Sequence, residues 1–514
     1  MTATDQLLFQ GADWNFPTLQ RIHDACEAIA HDDLGLDIYP NQIEVITAEQ
    51  MLDAYSSVGM PLYYKHWSFG KHFAYQEASY RKGLMGLAYE IVINSSPCIS
   101  YLMEENTATM QTLVIAHAAF GHNHFFKSNY LFRQWTDADG ILDYLEFAKS
   151  YVAQCEERQG RQAVEQTLDA AHALMSHGID RYPGKKKLDL RAEEERAGKR
   201  RLHEEGAFND LWRTVPAGPV KSDALLNVER RRKLLGLPQE NLLYFLEKTA
   251  PRLQPWQREL LRIVRHIAQY FYPQGQTKVM NEGTATYVHY RIMNRLHEQG
   301  RISDGNFLEF LQSHTNVVFQ PEFDSAHFSG FNPYALGFAM MQDIERIVTI
   351  PDDEDRQWFP DIAGTGDVMG VLRHAWSNYR DESFISQFLS PRLMRHFRMF
   401  HLRDDPEESA GIRVDAIHDE RGYRRVRCEL AKQYDVGFID ANIEVIDVDL
   451  AGNRRLMLRH AVLKGAQLNE TDAKRVLQHL ADLWSYDVSL VEVDASGSVL
   501  KEYVANPRRQ AAAD

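Results

Sequence analysis

Cysteine is scarce in this chain, and no two cysteines form a CxxC pair. The 514 residues contain four, Cys26, Cys98, Cys155 and Cys428, which are widely separated. Disulfide frameworks, zinc ribbons and iron–sulfur clusters need closely spaced cysteines, so the sequence argues against all three. We expect four reduced thiols.

Long apolar runs and an excess of basic charge are also missing. No apolar stretch is long enough to cross a bilayer, and the N-terminus has no positive region followed by an apolar block. The chain has 57 basic and 72 acidic residues, a net charge of −15, which disfavours a general nucleic-acid or anionic-membrane surface. These absences predict a soluble, cytoplasmic protein without a transmembrane segment or a nucleic-acid partner.

Hydrophobic periodicity divides the chain into two regions. Apolar residues make up 44% of the sequence, enough for a large core. Helical spacing dominates the first four-fifths of the chain, whereas strand alternation appears near the C-terminus. The fold class is therefore predicted as a mainly α domain with a few short strands, followed by a small α+β domain. The predicted boundaries are 1–404, with a charged helix or linker at 183–240, then 405–506 and a disordered tail at 507–514.

Three histidines end an apolar, helix-prone run that is predicted as one long helix from Ser100 to Ala119. On a regular α-helix, His117 and His122 would be about 140° apart, whereas His117 and His124 would be about 20° apart. Gly121 allows the helix to end or bulge there, which would bring His122 to the side of His117. Imidazoles in an apolar segment need partners, and a metal ion satisfies several at once. A structural role and a metal or catalytic role stay equally open for this cluster.

A second helical segment far downstream carries Glu282 and His289. These residues are seven positions apart, so they lie on one face but two turns from each other. We predict Glu282 as a metal ligand with His117 and His122, and His289 as a neighbouring catalytic or substrate group. The expected cofactor is a divalent metal ion, with zinc as the first candidate.

Several carboxylates and polar groups surround these segments in the sequence. Glu90 lies in an apolar strand, where a structural partner is commoner than a catalytic role. The His-Glu-x-x-His motif of zinc peptidases is absent, because position 118 is Ala, so the general base must come from elsewhere. The candidates for the base are Glu77, Glu90 and Glu105. Aromatic and polar segments predict a substrate pocket lined by His66, Trp67, Lys71, Glu77, Lys127, Asn129, His314, Asn332 and Tyr334.

A succession of motifs resembles the stage V sporulation protein R (SpoVR-like) family. The motifs are His66-Trp-Ser-Phe-Gly-Lys, Gly86-Leu-Ala-Tyr-Glu-Ile-Val-Ile-Asn, Tyr101-Leu-Met-Glu-Glu-Asn-Thr, His117-x4-His122-x2-Phe-Phe-Lys, Met280-Asn-Glu-Gly-x-Ala, His314-Thr-Asn-Val-Val-Phe-Gln-Pro and Asn332-Pro-Tyr-Ala-Leu-Gly. The resemblance covers nearly the whole chain. It departs at Thr284, where Trp is common in the family. Family members also resemble this chain less consistently at His124 than at His117 and His122.

The resemblance implies a cytoplasmic bacterial protein linked to spore cortex formation, or to stress and stationary-phase physiology. It also implies two partners, a PrkA-type serine protein kinase and a von Willebrand factor A-like protein. It supplies no settled catalytic residues. The segment Asn281-Glu-Gly is in addition similar to the one that supplies the glutamate ligand in gluzincin peptidases.

Two functions of different classes therefore stay open. The first is metal-assisted hydrolysis of an amide or peptidoglycan-related substrate, with His117, His122 and Glu282 as ligands and a carboxylate that activates water. The second is a noncatalytic adaptor in a kinase-linked stress complex, in which the histidines are structural.

Overall fold

The computed structural model describes residues 7–56, 60, 62–68, 71, 75, 90–181, 235–404, 412–416, 419–435, 440–450, 452–462 and 467–508, with the backbone alone at 55–56, 401–404 and 412–416. Glu77 and most of the predicted charged linker at 183–240 lie outside the described residues.

Helices form most of the described chain. The α-helices, in order from α1 to α18, are Phe16–Asp32, Ala48–Ser56, Ala108–Ile115, Asn123–Ser128, Tyr130–Trp135, Ile141–Gln159, Arg161–Ala173, Leu242–Thr249, Pro255–Gln276, Lys278–Glu298, Asp304–Val317, Pro333–Thr349, Asp353–Trp358, Val368–Asn378, Asp381–Phe388, Pro391–His396, Glu420–Gln433 and Glu470–Trp484. A π-helix, Ala116–His122, joins α3 to α4, and a short 3₁₀ helix spans Met175–His177.

Nine strands are described, most of them short. From β1 to β9 they are Asn41–Ile46, Glu90–Ile93, Cys98–Met103, His401–Asp404, Ile412–Ala416, Ile443–Val448, Leu456–Ala461, Val488–Val493 and Val499–Ala505. The predicted fold class, a mainly helical N-terminal region followed by a small α+β region, is confirmed.

The chain divides into two compact units. The first contains residues 1–154 and 270–439, and the second contains residues 155–269 and 440–514. The predicted boundary near residue 405 stays a prediction.

Helix α10 is the central element of the first unit and packs against α12 and the π-helix. Its buried residues occupy every face of the helix, among them Val279, Tyr287, Val288 and Ile292. A helix that is apolar all round belongs inside a core, where its neighbours bury each face. This position lets α10 present polar side chains to elements from distant parts of the sequence.

Glycines allow the backbones around α10 to approach closely. A Cβ added at Gly121 of the π-helix would lie 2.5 Å from Ala285 Cα on α10. One added at Gly283 of α10 would lie 2.6 Å from the backbone of Gly337 on α12. Since real Cβ atoms do not come this close to backbone atoms, both contacts require glycine. The close approach brings the histidine segment and Glu282 within side-chain reach of each other.

A three-stranded sheet in the first unit corrects the predicted helix over 100–119. Residues 100–103 belong to β3, which lies between the parallel β1 and the antiparallel β2. Most β3 side chains are buried, so its sequence lacks the alternation of a half-exposed strand. The helix begins only at Ala108, where the Thr107 side chain caps it by accepting a hydrogen bond from the Met110 N–H.

The second unit contains a four-stranded sheet in the order β6-β7-β8-β9. The β7–β8 pair is parallel and its connection includes α18, whereas the β6–β7 and β8–β9 pairs are antiparallel. The strands β8 and β9 form a C-terminal hairpin. Within this sheet Glu492 is fully buried, and it contacts His460 and the Tyr503 hydroxyl.

None of the described helices combines the length and the apolar character that crossing a bilayer requires.

Candidate metal centre

The π-helix places His117 and His122 on the same side of the chain. The N–H of Asn123 bonds to the carbonyls of Ala118, five residues earlier, and Phe120, three residues earlier, rather than to the one four residues earlier. In this pattern residues five positions apart come to lie about one turn from each other. The rings of His117 and His122 accordingly meet edge to face, with centroids 4.6 Å apart. The hypothesis that a bulge at Gly121 reorients His122 agrees with this geometry.

Glu282 reaches these histidines from the second turn of α10. The carboxylate of Asp381 caps the first turn, because its two oxygens accept hydrogen bonds of 2.8 Å from the N–H groups of Val279 and Met280. Thr277, which precedes the helix, makes no side-chain cap of its own. Asp381 therefore satisfies backbone donors that the start of α10 leaves open, and it fixes the segment that carries Glu282.

One carboxylate oxygen of Glu282 is aimed at both imidazoles. Glu282 Oε2 lies 3.5 Å from His122 Nε2 and 3.9 Å from His117 Nε2. This oxygen is buried and has no hydrogen-bond partner among the described residues. A buried carboxylate oxygen without a partner is costly, so the geometry calls for an additional positive group between these atoms.

Glu90, the first residue of β2, completes the cluster. Its Oε1 lies 3.6 Å from His117 Nε2, and it can offer a ligand atom within 4.8 Å of ligand atoms of His117 and His122. Burial, and then the charge of Glu282, raises the pKa of Glu90 to about 8. Two acidic side chains and two imidazoles thus converge on one partly enclosed space.

The far side of each imidazole has a defined partner. His122 Nδ1 lies 2.9 Å from Asn281 Oδ1, so His122 can donate there and keep a lone pair on Nε2. His117 Nδ1 lies 2.9 Å from His289 Nδ1, and His289 Nε2 lies 2.9 Å from His314 Nδ1. Ligating histidines in metalloproteins are oriented by such contacts at the second ring nitrogen.

Burial keeps His117, His289 and His314 in the neutral form. It lowers the pKa of His117 well below the ordinary value, and the nearby His122 and His289 lower it further. Burial, with His314 and His122, lowers the pKa of His289 in the same way. Burial alone lowers the pKa of His314 to about 4. Neutral imidazole is the form that binds metal ions.

The donor set fits a divalent metal ion. Bonds of about 2.0–2.1 Å to nitrogen and oxygen in a tetrahedral zinc site imply ligand atoms about 3.3–3.4 Å apart. The separations of Glu282 Oε2 from His122 Nε2 and His117 Nε2, 3.5 and 3.9 Å, exceed that spacing by only a few tenths of an ångström. A cation here would also provide the partner that Glu282 Oε2 lacks.

His124, and the predicted pocket residues Lys127 and Asn129, have other surroundings. His124 Nδ1 lies 2.9 Å from the Asp37 carbonyl, and its ring meets Trp376 edge to face. The Lys127 ammonium pairs with the Asp37 carboxylate at 2.6 Å. Asn129 is fully buried and donates to the carbonyls of Trp376 and Tyr379. These contacts give all three side chains a packing role in the structure.

Four further predicted residues lie at the surface or have other partners. Glu105 accepts a hydrogen bond from the Ala48 N–H at the surface. Trp67 and Lys71 are exposed, and buried His66 contacts the Ser68 hydroxyl at 2.7 Å. Among the predicted pocket residues, His314 and Tyr334 do contact the histidines, since the Tyr334 ring stacks on His117 with centroids 6.2 Å apart.

Asn332 organises a loop next to a cavity in the first unit. Its side chain donates to the Val317 and Phe319 carbonyls, and its N–H donates to the Gln320 side chain. The cavity has a volume of about 830 Å³. Aromatic rings dominate its wall and include Phe319, Phe323, Phe328, Phe331, Phe338 and Phe397. Phe338 also contacts His314, with ring centroids 4.9 Å apart.

Two features of the site were not predicted from the sequence. The first is the contact of Asn281 with His122, although Asn281 directly precedes Glu282 in the motif that drew attention to this segment. The second is the cap that Asp381 provides. An isolated aspartate one hundred residues downstream has no sequence signal that would connect it with α10.

Comparison with known proteins extends over almost the entire chain. A family model described as SpoVR like protein matches residues 13–439, and one described as SpoVR-like C-terminal domain matches residues 441–495. A protein of Escherichia coli (strain K12), described as "Uncharacterized protein YcgB", is 53% identical over 492 residues, which cover 96% of this chain and 95% of that protein. No solved structure matches the chain.

Proposed function

This chain belongs to the SpoVR-like protein family, and we propose that it is a metal-dependent hydrolase. In this proposal His117, His122 and Glu282 hold one divalent ion, with zinc as the first candidate. Glu90 is the general base. The substrate class is an amide, including the amide bonds of peptidoglycan-related molecules.

The observation that carries the proposal is the buried oxygen of Glu282. It faces two imidazole nitrogens at 3.5 and 3.9 Å and accepts no hydrogen bond within the described part of the chain. A purely structural cluster would be expected to satisfy this oxygen with a donor. Since both imidazoles have partners at Nδ1, their Nε2 atoms are the ones available to a cation.

Each residue of the cluster has a separate task in the proposed reaction. A divalent ion would supply Lewis-acid activation of a water molecule and of the scissile carbonyl. Glu90 Oε1, which lies 3.6 Å from His117 Nε2, is placed to accept the proton of that water and to pass it to the leaving amine. Tyr334, stacked on His117, can orient the substrate next to the imidazole.

Substitution of the two carboxylates by glutamine separates their tasks. We expect Glu90→Gln to retain the metal ion and to lower hydrolytic turnover by about 10²–10⁴-fold, because only the general base is lost. Glu282→Gln should lose the ion and the activity together, because a ligand is lost. The measurement is hydrolysis of a panel of peptide and peptidoglycan-derived amides by metal-loaded protein, with metal content determined for each variant.

Glu105→Gln is the matched control, since Glu105 is a surface glutamate that bonds to the Ala48 N–H. It should behave as the wild type in both assays. A metal-loaded wild-type protein that hydrolyses none of these amides would contradict the proposed reaction. It would favour the noncatalytic adaptor, which could then be tested by capture of partners.

The family membership supports a coarser proposal about the cell. We infer a cytoplasmic protein that acts in spore cortex formation or in stress and stationary-phase physiology. We also infer association with a PrkA-type serine protein kinase and a von Willebrand factor A-like protein. Copurification of each partner with the intact chain tests this part, and a chain that retains neither partner would contradict it.

A further inference from the structure

Three buried imidazoles form a continuous chain that begins at the candidate metal centre. His117 contacts His289 through their Nδ1 atoms, and His289 Nε2 contacts His314 Nδ1, each at 2.9 Å. The three residues are 3%, 1% and 6% exposed. Water has little access to these three imidazoles, so their nitrogens depend on neighbouring protein groups for hydrogen bonds. These groups are the next imidazole in each of the two contacts and, for His117, also the backbone of Ala285.

A neutral imidazole has one N–H donor and one acceptor nitrogen, so such a chain can be ordered in two ways. In the first, His117 Nδ1–H donates to His289, and His289 Nε2–H donates to His314. In the second, both hydrogen bonds run in the opposite direction. Burial lowers the pKa of His314 to about 4, so this ring is neutral at physiological pH in either arrangement.

The two arrangements differ at the nitrogen that faces the carboxylates. The first leaves His117 Nε2 with a lone pair directed towards Glu90 and Glu282, where a metal ion can bind. The second puts a proton on that atom, where it blocks coordination. The tautomer of His117 is therefore coupled to the tautomer of His314, although His314 contacts neither carboxylate.

Aromatic packing holds the far end of the chain in place. The His314 ring lies among Phe310, Phe338 and Tyr290, with centroid separations of 5.7, 4.9 and 5.1 Å. These rings restrict rotation of the His314 side chain, so Nδ1 stays directed at His289. The orientation of His314, near the end of α11, thus acts through His289 on the tautomer of His117 at the candidate metal centre.

We propose that His314, acting through His289, is a positioning residue that holds His117 in the tautomer able to coordinate a metal ion. The proposal rests on the metal centre inferred above. His314 accepts the hydrogen bond from His289 Nε2–H, which leaves His289 Nδ1 as the acceptor for His117 Nδ1–H. Removal of the acceptor at position 314 frees His289, and with it His117, to adopt the wrong tautomer.

The test compares two substitutions at position 314. In His314→Asn, the side-chain oxygen lies close to the position of Nδ1 and can still accept the hydrogen bond, whereas His314→Leu keeps similar bulk but has no acceptor. We expect His314→Leu to bind Zn²⁺ about 10–100-fold more weakly than the wild type, the usual cost of losing a group that orients a ligand. His314→Asn should bind Zn²⁺ almost as tightly as the wild type. Zn²⁺ affinity is measured by competition with a chromophoric chelator.

A second readout follows the tautomers themselves in metal-free protein. Histidine labelled with nitrogen-15 gives long-range proton–nitrogen NMR signals that distinguish Nδ1–H from Nε2–H tautomers. The wild type and His314→Asn should show His117 as Nδ1–H, and His314→Leu should show a mixture. Loss of packing alone would not change this signal.

The matched control is His124→Leu, which removes another buried histidine, in α4, without touching the three linked imidazoles. It should leave both readouts unchanged. Equal Zn²⁺ affinity in His314→Leu and the wild type would overturn the role of His314 and leave the metal centre intact. Equal weakening in His314→Leu and His314→Asn, or in His124→Leu, would also overturn it, because packing would then explain the loss. A wild-type protein that binds no Zn²⁺ would instead remove the metal centre on which the proposal rests.

Discussion

Buried carboxylates in the first unit differ in the partners that neutralise them. Asp355 receives a hydrogen bond of 2.7 Å from the Arg346 guanidinium, and Asp381 receives two from the start of α10. Glu282 has only imidazoles near its buried oxygen, within the part of the chain that the structure describes. Asp343 also leaves one buried oxygen without a partner among the described residues, but its other oxygen receives a hydrogen bond from the Arg346 guanidinium. The ion pairs of Glu282 among the described residues are with imidazoles alone, and this difference supports a functional role for Glu282.

Asp355 gives a prediction for the pH dependence of stability. Burial opposes its ionisation, but the Arg346 guanidinium and the Asp352 N–H hold the pKa of Asp355 below its ordinary value of 3.8. A carboxylate with a depressed pKa stabilises the folded state above pH 3.8, and this contribution is lost as the pH falls through the folded-state pKa. We expect Asp355→Asn to lower the free energy of unfolding by about 2–3 kcal/mol at pH 7.

The measurement for Asp355 is urea-induced unfolding of wild type and variant between pH 7 and pH 3. The difference should shrink as the pH falls below about 3.8, where Asp355 of the unfolded wild type takes up a proton and the folded protein still resists protonation. Asp353→Asn is the control, because Asp353 is exposed in the same helix and should change stability by less than about 0.5 kcal/mol. A destabilisation of Asp355→Asn that stays constant over the whole range would contradict the electrostatic explanation.

Among the elements, the π-helix and α10 form the frame of the centre, and glycine allows their contact with each other and with α12. Gly283 is the clearest case, since a Cβ there would meet two backbone atoms of Gly337 at 2.6 Å. Backbone atoms cannot rotate away as a flexible side chain can. We expect Gly283→Ala to lower the free energy of unfolding by about 1–3 kcal/mol, and by more if α12 cannot move.

Thermal unfolding of paired glycine variants tests this contact. Gly275→Ala is the matched control, because Gly275 is exposed in α9 and nothing lies within 4 Å of an added Cβ. Alanine favours helix, so this variant should be neutral or more stable by up to about 1 kcal/mol. Equal melting temperatures for Gly283→Ala and the wild type would show that the two backbones are not closely packed.

Periodicity predicted the fold class but not the details that build the site. The predicted order, a mainly helical region followed by strands near the C-terminus, is observed. Residues 100–103 of β3 were wrongly assigned to a helix, because a central buried strand shows no alternation. The exact register of the π-helix was also beyond the sequence, since it depends on how Gly121 meets Ala285.

In the whole molecule, the centre depends on segments that only the tertiary fold brings together. His122 and Asn281 are 159 positions apart, and His117 and His289 are 172 positions apart. Residue chemistry and motif resemblance predicted that the segment with His117 and His122 meets the segment with Glu282. The sequence did not predict the series of contacts from His117 through His289 to His314, because side-chain orientation is set by packing. For the same reason, local patterns did not reveal that residues 155–269 and 440–514 form one unit.

The central claim is that these distant segments join to hold one metal ion. Its most direct test is elemental analysis of protein purified without chelators and of protein reconstituted with Zn²⁺. The comparison includes wild type, His117→Ala, Glu282→Ala and the control His124→Ala, with circular dichroism to confirm folding. We expect about one ion per chain in wild type and His124→Ala, and loss of the ion from folded His117→Ala and Glu282→Ala. A wild-type protein without metal after reconstitution, or variants that retain it fully, would contradict the account.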